Sequence, residues 1–186
     1  YLNRLSRAVD WIEAPLQGRK VLLSPTEVMS LHLHSKNEYN RKVLLEGGFK
    51  LRRKKSLGTV KLTGKQLDAL IGKLSKEQIE VADAMGNFLD GQQKEAMNET
   101  SNTLLGDAIA KVKNYWRVIH PKEELDMETR TFLKKYLSSR VIEEMGFLKK
   151  RTGSKAPLYL EDAFAQFVTS VEDGALYSGL AVPVRN

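Results

Sequence analysis

The sequence predicts an all-α or mainly α fold, built as an irregular multi-helix bundle of about six or seven helices. Apolar side chains recur at three- and four-residue steps along most of the 186 residues, which is the spacing of one face of an α-helix. Two capping boxes mark helix starts, and the 41% hydrophobic and 28% charged composition is typical of a globular protein. Strands are expected only as minor elements near residues 59–62 and 113–119.

Residues 1–20 are predicted to form an N-terminal helical arm. Its apolar stripe has helical spacing and consists of Leu2, Leu5, Val9 and Ile12. Pro15 is expected to end this helix, because proline interrupts helical hydrogen bonding. Residues 21–186 are predicted to form one helical domain. Because the sequence starts at Tyr1 without a methionine, we interpret the whole chain as a fragment of a larger polypeptide.

A capping box predicts the start of the first helix of this domain. Ser24 can cap it, Pro25 suits the first helical position, and Glu27 can reach back to the Ser24 amide. The helix is expected to break near residues 35–37. A second short helix is predicted over residues 38–46, and it ends at two glycines.

The basic stretch that follows is the clearest charge feature, since residues 41–65 hold nine basic side chains and one acid. Three interpretations remain open: a solvated loop between helical blocks, a phosphate contact, or a contact with an acidic protein. Apart from Phe49 at its edge, no aromatic residue interleaves with the basic run. The sequence therefore argues against a platform on which nucleic-acid bases stack.

Two further capped helices are predicted in the middle of the chain. Thr63 is a plausible cap for a helix that ends near Gly72, and Ser75 opens a long helix over residues 76–105. The polar part of this long helix is interpreted as a solvated face or as a surface that lies across a partner or another domain. The extended stretch that follows contains Tyr115 and Trp116, and we expect one or the other to seal the core.

The C-terminal third is predicted to contain a helix over residues 126–147, a basic loop at 149–157, a helix from residue 160 and an apolar tail. We expect residues 145–186 to form the packing centre of the domain. The large core residues predicted from the whole sequence are Met85, Phe88, Trp116, Phe132, Tyr136, Phe147, Phe164, Phe167 and Tyr177.

The sequence contains no recognisable catalytic, metal or cofactor site, so we predict a protein that is not an enzyme and needs no cofactor. Cysteine is absent, and His32 and His34 are two residues apart, which on a helix sends their imidazoles to different faces. His120 precedes Pro121 and is interpreted as a turn residue. No apolar run reaches the ~18 residues of a membrane span.

The formal net charge of +7 favours acidic partners, among which nucleic acid is the commonest. The alternative prediction is therefore a domain that binds DNA or another polyanion. Its candidate contacts are Lys50, Arg52, Arg53, Lys54, Lys55, Lys149, Lys150, Arg151 and Lys155.

Residues 23–49, 74–118 and 145–186 together resemble a helical region of very large polyvalent proteins of tailed phages and related mobile elements. The resemblance lies in patterns of helix starts and turns, and it includes no catalytic signature. It implies a non-catalytic structural and interaction module that is packaged in the virion and delivered with DNA. The implied partners are other domains of the same large protein or other virion proteins, in the virion or the bacterial cytoplasm. The oligomeric state is left open.

Overall fold

The computed structural model describes residues 11–53, 57–108, 110–119 and 156–180. Of these residues, 60% are helical and 13% lie in strands of two small sheets. The mainly helical character predicted from the sequence is confirmed. The predicted count of six or seven helices is not matched, because the described residues form five continuous helical segments. The predicted helix at 126–147 lies outside the described residues.

A β-hairpin opens the described chain where the sequence predicted a helical arm. Strand β1 (Ile12–Leu16) pairs antiparallel with β2 (Arg19–Leu23), and Gln17 and Gly18 between them have φ angles of 53° and 70°. Two consecutive positive φ angles are the mark of a tight hairpin turn. The predicted helix is therefore wrong for residues 12–16. Alternate burial in β1 explains the strand, and Pro15 is tolerated because a two-stranded sheet has open edges.

Two consecutive helices follow, α1 (Pro25–Lys36) and α2 (Glu38–Gly47). The predicted capping box at the start of α1 is confirmed: Ser24 Oγ accepts from the Glu27 amide at 3.1 Å, and the Glu27 carboxylate accepts from the Ser24 amide at 2.9 Å. Asn37 separates the helices and caps the second, because its Oδ1 accepts from the Asn40 amide at 3.0 Å. Local sequence signals therefore set these three helix ends.

The second sheet joins distant parts of the chain. Strand β3 (Phe49–Leu51) pairs in parallel with β4 (Leu158–Leu160), and on its other side Phe49 forms an isolated antiparallel bridge with Val60. Gly48 enters β3 with φ +77° and ψ −161°, a region nearly exclusive to glycine, and a Cβ there would overlap the Val60 carbonyl. Of the β element expected near residues 59–62, only Val60 pairs with a strand. The described residues of 113–119 form no strand.

The remaining helices are α3 (Gly64–Ile71), α4 (Lys76–Phe88), α5 (Lys94–Leu105) and α6 (Ala163–Leu180). A π-helical turn, Leu89–Gln93, joins α4 to α5, so residues 76–105 are one continuous rod, as the sequence predicted. The caps predicted at Thr63 and Ser75 are both present as capping boxes. Gly106 ends the rod in the left-handed conformation.

Residues 110–119, here called the strap, form no helix or strand, bend at Lys113 and Asn114, and insert Trp116, which is 1% exposed, into the core. Side-chain amides of the surrounding helices bind its backbone carbonyls. Asn37 donates to the Lys113 carbonyl at 2.9 Å, and Asn40 donates to the Trp116 carbonyl at 2.7 Å. Gln166 of α6 donates to the Arg117 carbonyl. These side chains hold much of the strap, and at its end the Ile119 carbonyl accepts a hydrogen bond from the Tyr159 amide of β4 at 2.7 Å.

The predicted core residues divide into three groups. Met85, Trp116 and Tyr177 are buried, and Phe167 packs partly buried against the core. Phe88 and Phe164 are 37% and 46% exposed, so their assignment to the core is wrong. Three predicted core residues lie outside the described residues: Phe132, Tyr136 and Phe147.

The buried core is also centred elsewhere than predicted. Its described apolar residues come mainly from the hairpin, α1, α2, β3, α3, α4 and Trp116. From the expected packing centre at 145–186, only Leu158, Leu160 and Ala163 belong to this cluster within the described residues. The face of α6 that carries Phe164 points away from it, because the strap and α1 contact the opposite side of this helix.

We expect the Asn40→Ala substitution to lower the free energy of unfolding by about 1–3 kcal/mol, because it leaves the buried Trp116 carbonyl without its donor. The measurement is urea denaturation followed by circular dichroism. Asn102→Ala, at an exposed position of α5, is the control and should change the same quantity by less than ~0.5 kcal/mol. Equal effects of the two substitutions would contradict the structural role assigned to the strap.

Candidate functional site

The basic residues predicted to contact phosphate are only partly described. Lys54, Lys55, Lys149, Lys150, Arg151 and Lys155 lie outside the described residues, whereas Lys50, Arg52 and Arg53 lie in or beside β3. Lys50 is half-buried, and its register partner in β4 is Tyr159. Arg52 forms an ion pair with Glu161, just after β4. Both arginines are already engaged within the fold.

Arg53 is held by three different groups. Its Nε and Nη2 donate to the two carboxylate oxygens of Glu27 at 2.7 and 3.0 Å, and Nη2 also donates to the Leu22 carbonyl at 2.6 Å. Its guanidinium carbon lies 4.6 Å from the ring centroid of Trp11. Because Glu27 is buried, a ligand that drew Arg53 away would leave an uncompensated carboxylate in the interior. Arg53 therefore joins β2, α1 and the end of β3.

The positive charge of the protein is unevenly distributed along the chain. The described residues contain 16 Lys and Arg and 16 Asp and Glu, so their formal charge is zero. The whole net charge of +7 thus resides in residues 1–10, 54–56, 120–155 and 181–186. The net electrostatic attraction between this protein and a polyanion must therefore come from these four segments.

A shallow polar cleft lies between α1, α4 and the strap. Its volume, including the open mouth, is about 280 Å³, and its lining includes Lys36, Asp83 and Trp116. One oxygen of Asp83, Oδ1, accepts from both His32 Nε2 at 2.7 Å and Lys36 Nζ at 2.6 Å. This cluster was not predicted from the sequence, because Asp83 is about fifty residues from His32 and no local pattern links them.

The two histidines of α1 point to different surroundings, as their spacing predicted. His32 faces Asp83, whereas His34 is fully buried and its Nδ1 lies 3.3 Å from the amide nitrogen of Asn40. Among the residues that the structure describes, no group of three or more His, Asp or Glu side chains is arranged to hold a metal ion. The His32–Asp83–Lys36 cluster ties α1 to α4 through charge-assisted hydrogen bonds.

The electrostatic surroundings of Asp83 favour its ionised form. Partial burial raises the pKa of this carboxyl, but the hydrogen bonds and charges of Lys36 and His32 outweigh burial and hold the pKa below its ordinary value of 3.8. The folded state therefore binds this proton more weakly than the unfolded state does. The ionised form stabilises the fold above pH ~4, and this contribution disappears as the pH falls through the folded pKa.

The Asp83→Asn substitution should therefore destabilise the protein at pH 7 and lose this effect in acid. We expect the difference in unfolding free energy between the wild type and Asp83→Asn to shrink as the pH falls below ~4. Urea denaturation at several pH values measures it. The difference between the wild type and Asn102→Ala should stay constant over the same range. A difference for Asp83→Asn that persisted unchanged at pH 2 would show that the charge of Asp83 contributes nothing.

The outward side of α6 carries an apolar surface, here called the α6 outer face. It comprises the exposed positions Phe164, Ala165, Val168, Thr169, Glu172, Ala175, Leu176 and Gly179. Val168 and Leu176 are 52% and 55% exposed. Glu172 is the only charged residue of this face, and α6 contains no lysine or arginine.

The inward side of α6 explains why these residues face outward. Gln166 binds the strap carbonyl of Arg117 and accepts from Ser30 of α1 at 3.3 Å, while Asp173 forms an ion pair with Arg117 at 2.5 Å. These contacts fix the rotation of the helix about its axis. A signal for the outer face existed in the sequence, because the apolar positions of α6 occupy more of the helix circumference than one buried stripe requires.

Comparison with known proteins gives no relative for this chain: no family model, curated protein or solved structure matches it. Within the described residues, none of the helices combines the length and apolar character needed to cross a bilayer.

Proposed function

We propose that this chain is a non-catalytic structural and interaction module of a large phage or mobile-element protein, packaged in the virion and delivered with DNA. We propose further that the α6 outer face is its contact surface. The single observation that supports the interaction role is the exposure of Phe164, Val168 and Leu176 on one side of one helix. The phage context is supported by the resemblance of residues 23–49, 74–118 and 145–186 to helical regions of such proteins.

An apolar helix face in water is unfavourable, and this gives the interaction role its physical basis. Removing apolar surface from water stabilises a complex by roughly 25 cal/mol per Å². Contiguous exposed apolar patches on monomers are often binding surfaces, whereas single exposed apolar residues are ordinary. On the neighbouring helix α4, the partly exposed ring of Phe88 packs edge-to-face on Phe167 of α6 with 5.7 Å between the centroids.

Site-specific photo-crosslinking tests this proposal in the full-length protein. A photoreactive benzoylphenylalanine at Val168 should give a discrete adduct with another domain of the same polypeptide or with a virion protein, identified by mass spectrometry. The control position is Lys76 on α4, whose side chain is 87% exposed and lies outside the patch. Crosslinks absent at Val168, or equal in yield and partner at both positions, would overturn the α6 outer face as the contact surface.

A second candidate, nucleic-acid binding, is favoured by one observation: the net charge of +7 lies in four stretches of the sequence outside the described residues. Lysine and arginine side chains provide non-specific attraction to phosphates. Two of the arginines proposed to contact phosphate are already paired with carboxylates: Arg52 with Glu161 and Arg53 with Glu27. These ion pairs weigh against phosphate contact by Arg52 and Arg53.

A filter-binding titration with duplex DNA at 50 and 200 mM salt tests the second candidate. Contact with several phosphates should weaken the affinity by about tenfold or more over this range, because counterions are released on binding. The Lys149→Gln/Lys150→Gln/Arg151→Gln variant should bind more weakly at both salt concentrations, and Lys76→Gln is the control for loss of a lysine elsewhere. No binding of the wild type at 50 mM salt would remove this candidate.

A further inference from the structure

We propose that the partner of the α6 outer face is a single amphipathic α-helix that carries a lysine or arginine opposite Glu172. This inference rests on the proposed interaction function and adds the chemistry of the partner. It follows from three features of the face: its dimensions, the relief of its side chains, and its one uncompensated charge.

The dimensions of the face match one helix. From Phe164 to Leu176 the apolar strip is about 18 Å long at 1.5 Å per residue, and it is about 10 Å wide, the diameter of the helix that bears it. The strip therefore offers roughly 200 Å² in projection. A stable interface between two globular proteins uses about 800 Å² on each partner. A docked helix can use a strip of this size fully, because helix-in-groove recognition depends on three or four anchor side chains.

The relief of the face also suits a helix. Phe164, Val168, Glu172 and Leu176 follow one another at four-residue steps, so they form a single ridge along α6. Small residues beside this ridge leave shallow grooves; they are Ala165, Thr169, Ala175 and Gly179. Helices pack by placing the ridges of one into the grooves of the other. The face thus presents one ridge and grooves without a large side chain in the way.

The charge of Glu172 sets a further requirement for the partner. Glu172 lies within the ridge between Val168 and Leu176, and no cation of the described residues forms an ion pair with it. A helix that covered the ridge would remove water from this carboxylate, which is costly unless a cation accompanies it. Asp173, the neighbouring acid, already pairs with Arg117. A partner side chain with a positive charge at this point would therefore stabilise the complex and set its register.

The same features disfavour the other occupants. A second copy of this chain would bring another face with one carboxylate and no cation, so the two acids would remain uncompensated, and the projected area is small for a dimer. Lipid surfaces are bound by apolar helix faces flanked by lysine and arginine, which α6 lacks. These occupants become outcomes of the test.

The test uses two synthetic stapled helical peptides that differ at one position. Both carry leucines at helical spacing, and the variable position beside them is lysine in one peptide and glutamate in the other. Fluorescence anisotropy measures the affinity of each for the full chain. We expect the wild type to prefer the lysine peptide by at least about fivefold, and the Glu172→Lys variant to prefer the glutamate peptide. Glu80→Lys on α4 is the control and should retain the wild-type preference.

Each other outcome has a defined meaning. One such outcome is that the two peptides bind equally well to the wild type and to Glu172→Lys, and that neither binds to Val168→Asp. That result would overturn the requirement for a charged partner and leave the α6 outer face as the contact surface. Absence of peptide binding at 1 mM together with a crosslink at Val168 would overturn the helical partner alone. Dimerisation in sedimentation experiments, or binding to phosphatidylcholine vesicles, that is lost in Val168→Asp would overturn it in favour of a second copy or a lipid surface. Circular dichroism of each variant verifies that it is folded.

Discussion

The strap is the constraint on which the rest of this fold depends. A backbone segment without helix or strand has no regular partners for its carbonyl groups, and those that are shielded from water require a donor. Asparagine and glutamine side chains from three helices supply these donors, including Asn37, Asn40 and Gln166. Those amides are positioned only when the helices are in their native places. The strap can therefore bind only when the helices are in their native arrangement, and its binding stabilises that arrangement. Trp116 adds a buried apolar contact.

The same constraint determines which surface α6 shows to its surroundings. Because Gln166 and Asp173 are both engaged with Arg117, one side of this helix is fixed against the strap. The opposite side, with Phe164 and Val168, must then face outward whatever its polarity. The apolar outer face is in this sense a consequence of polar contacts on the inner side. The hydrophobic pattern of α6 alone does not choose between these two orientations.

How well each feature could be predicted depends on how far apart in the sequence its interacting residues are. Helix starts at Ser24, Thr63 and Ser75 were predicted correctly, since a capping box involves residues only three apart. The hairpin was missed because its turn is Gln17-Gly18, a weaker signal than Asn-Gly or Asp-Gly, and because Pro15 suggested a helix end. At the candidate site, the exposure of Phe164 and the partners of Arg52 and Arg53 depend on tertiary contacts, for which spacing along the chain gives no information.

The parallel pairing of β3 with β4 imposes an order on the folding of this protein during its synthesis. The hairpin, the capped helices and the rod can all be completed while β4 is still to be made, because Leu51 and Leu158 are separated by about a hundred residues. At typical translation speeds this interval lasts roughly 5–20 s. Throughout that time Phe49 can pair with Val60 on one side but lacks its β4 partner on the other. The N-terminal body can therefore fold on the growing chain before β4 and α6 are synthesised, and the pairing of β3 with β4 completes the sheet afterwards.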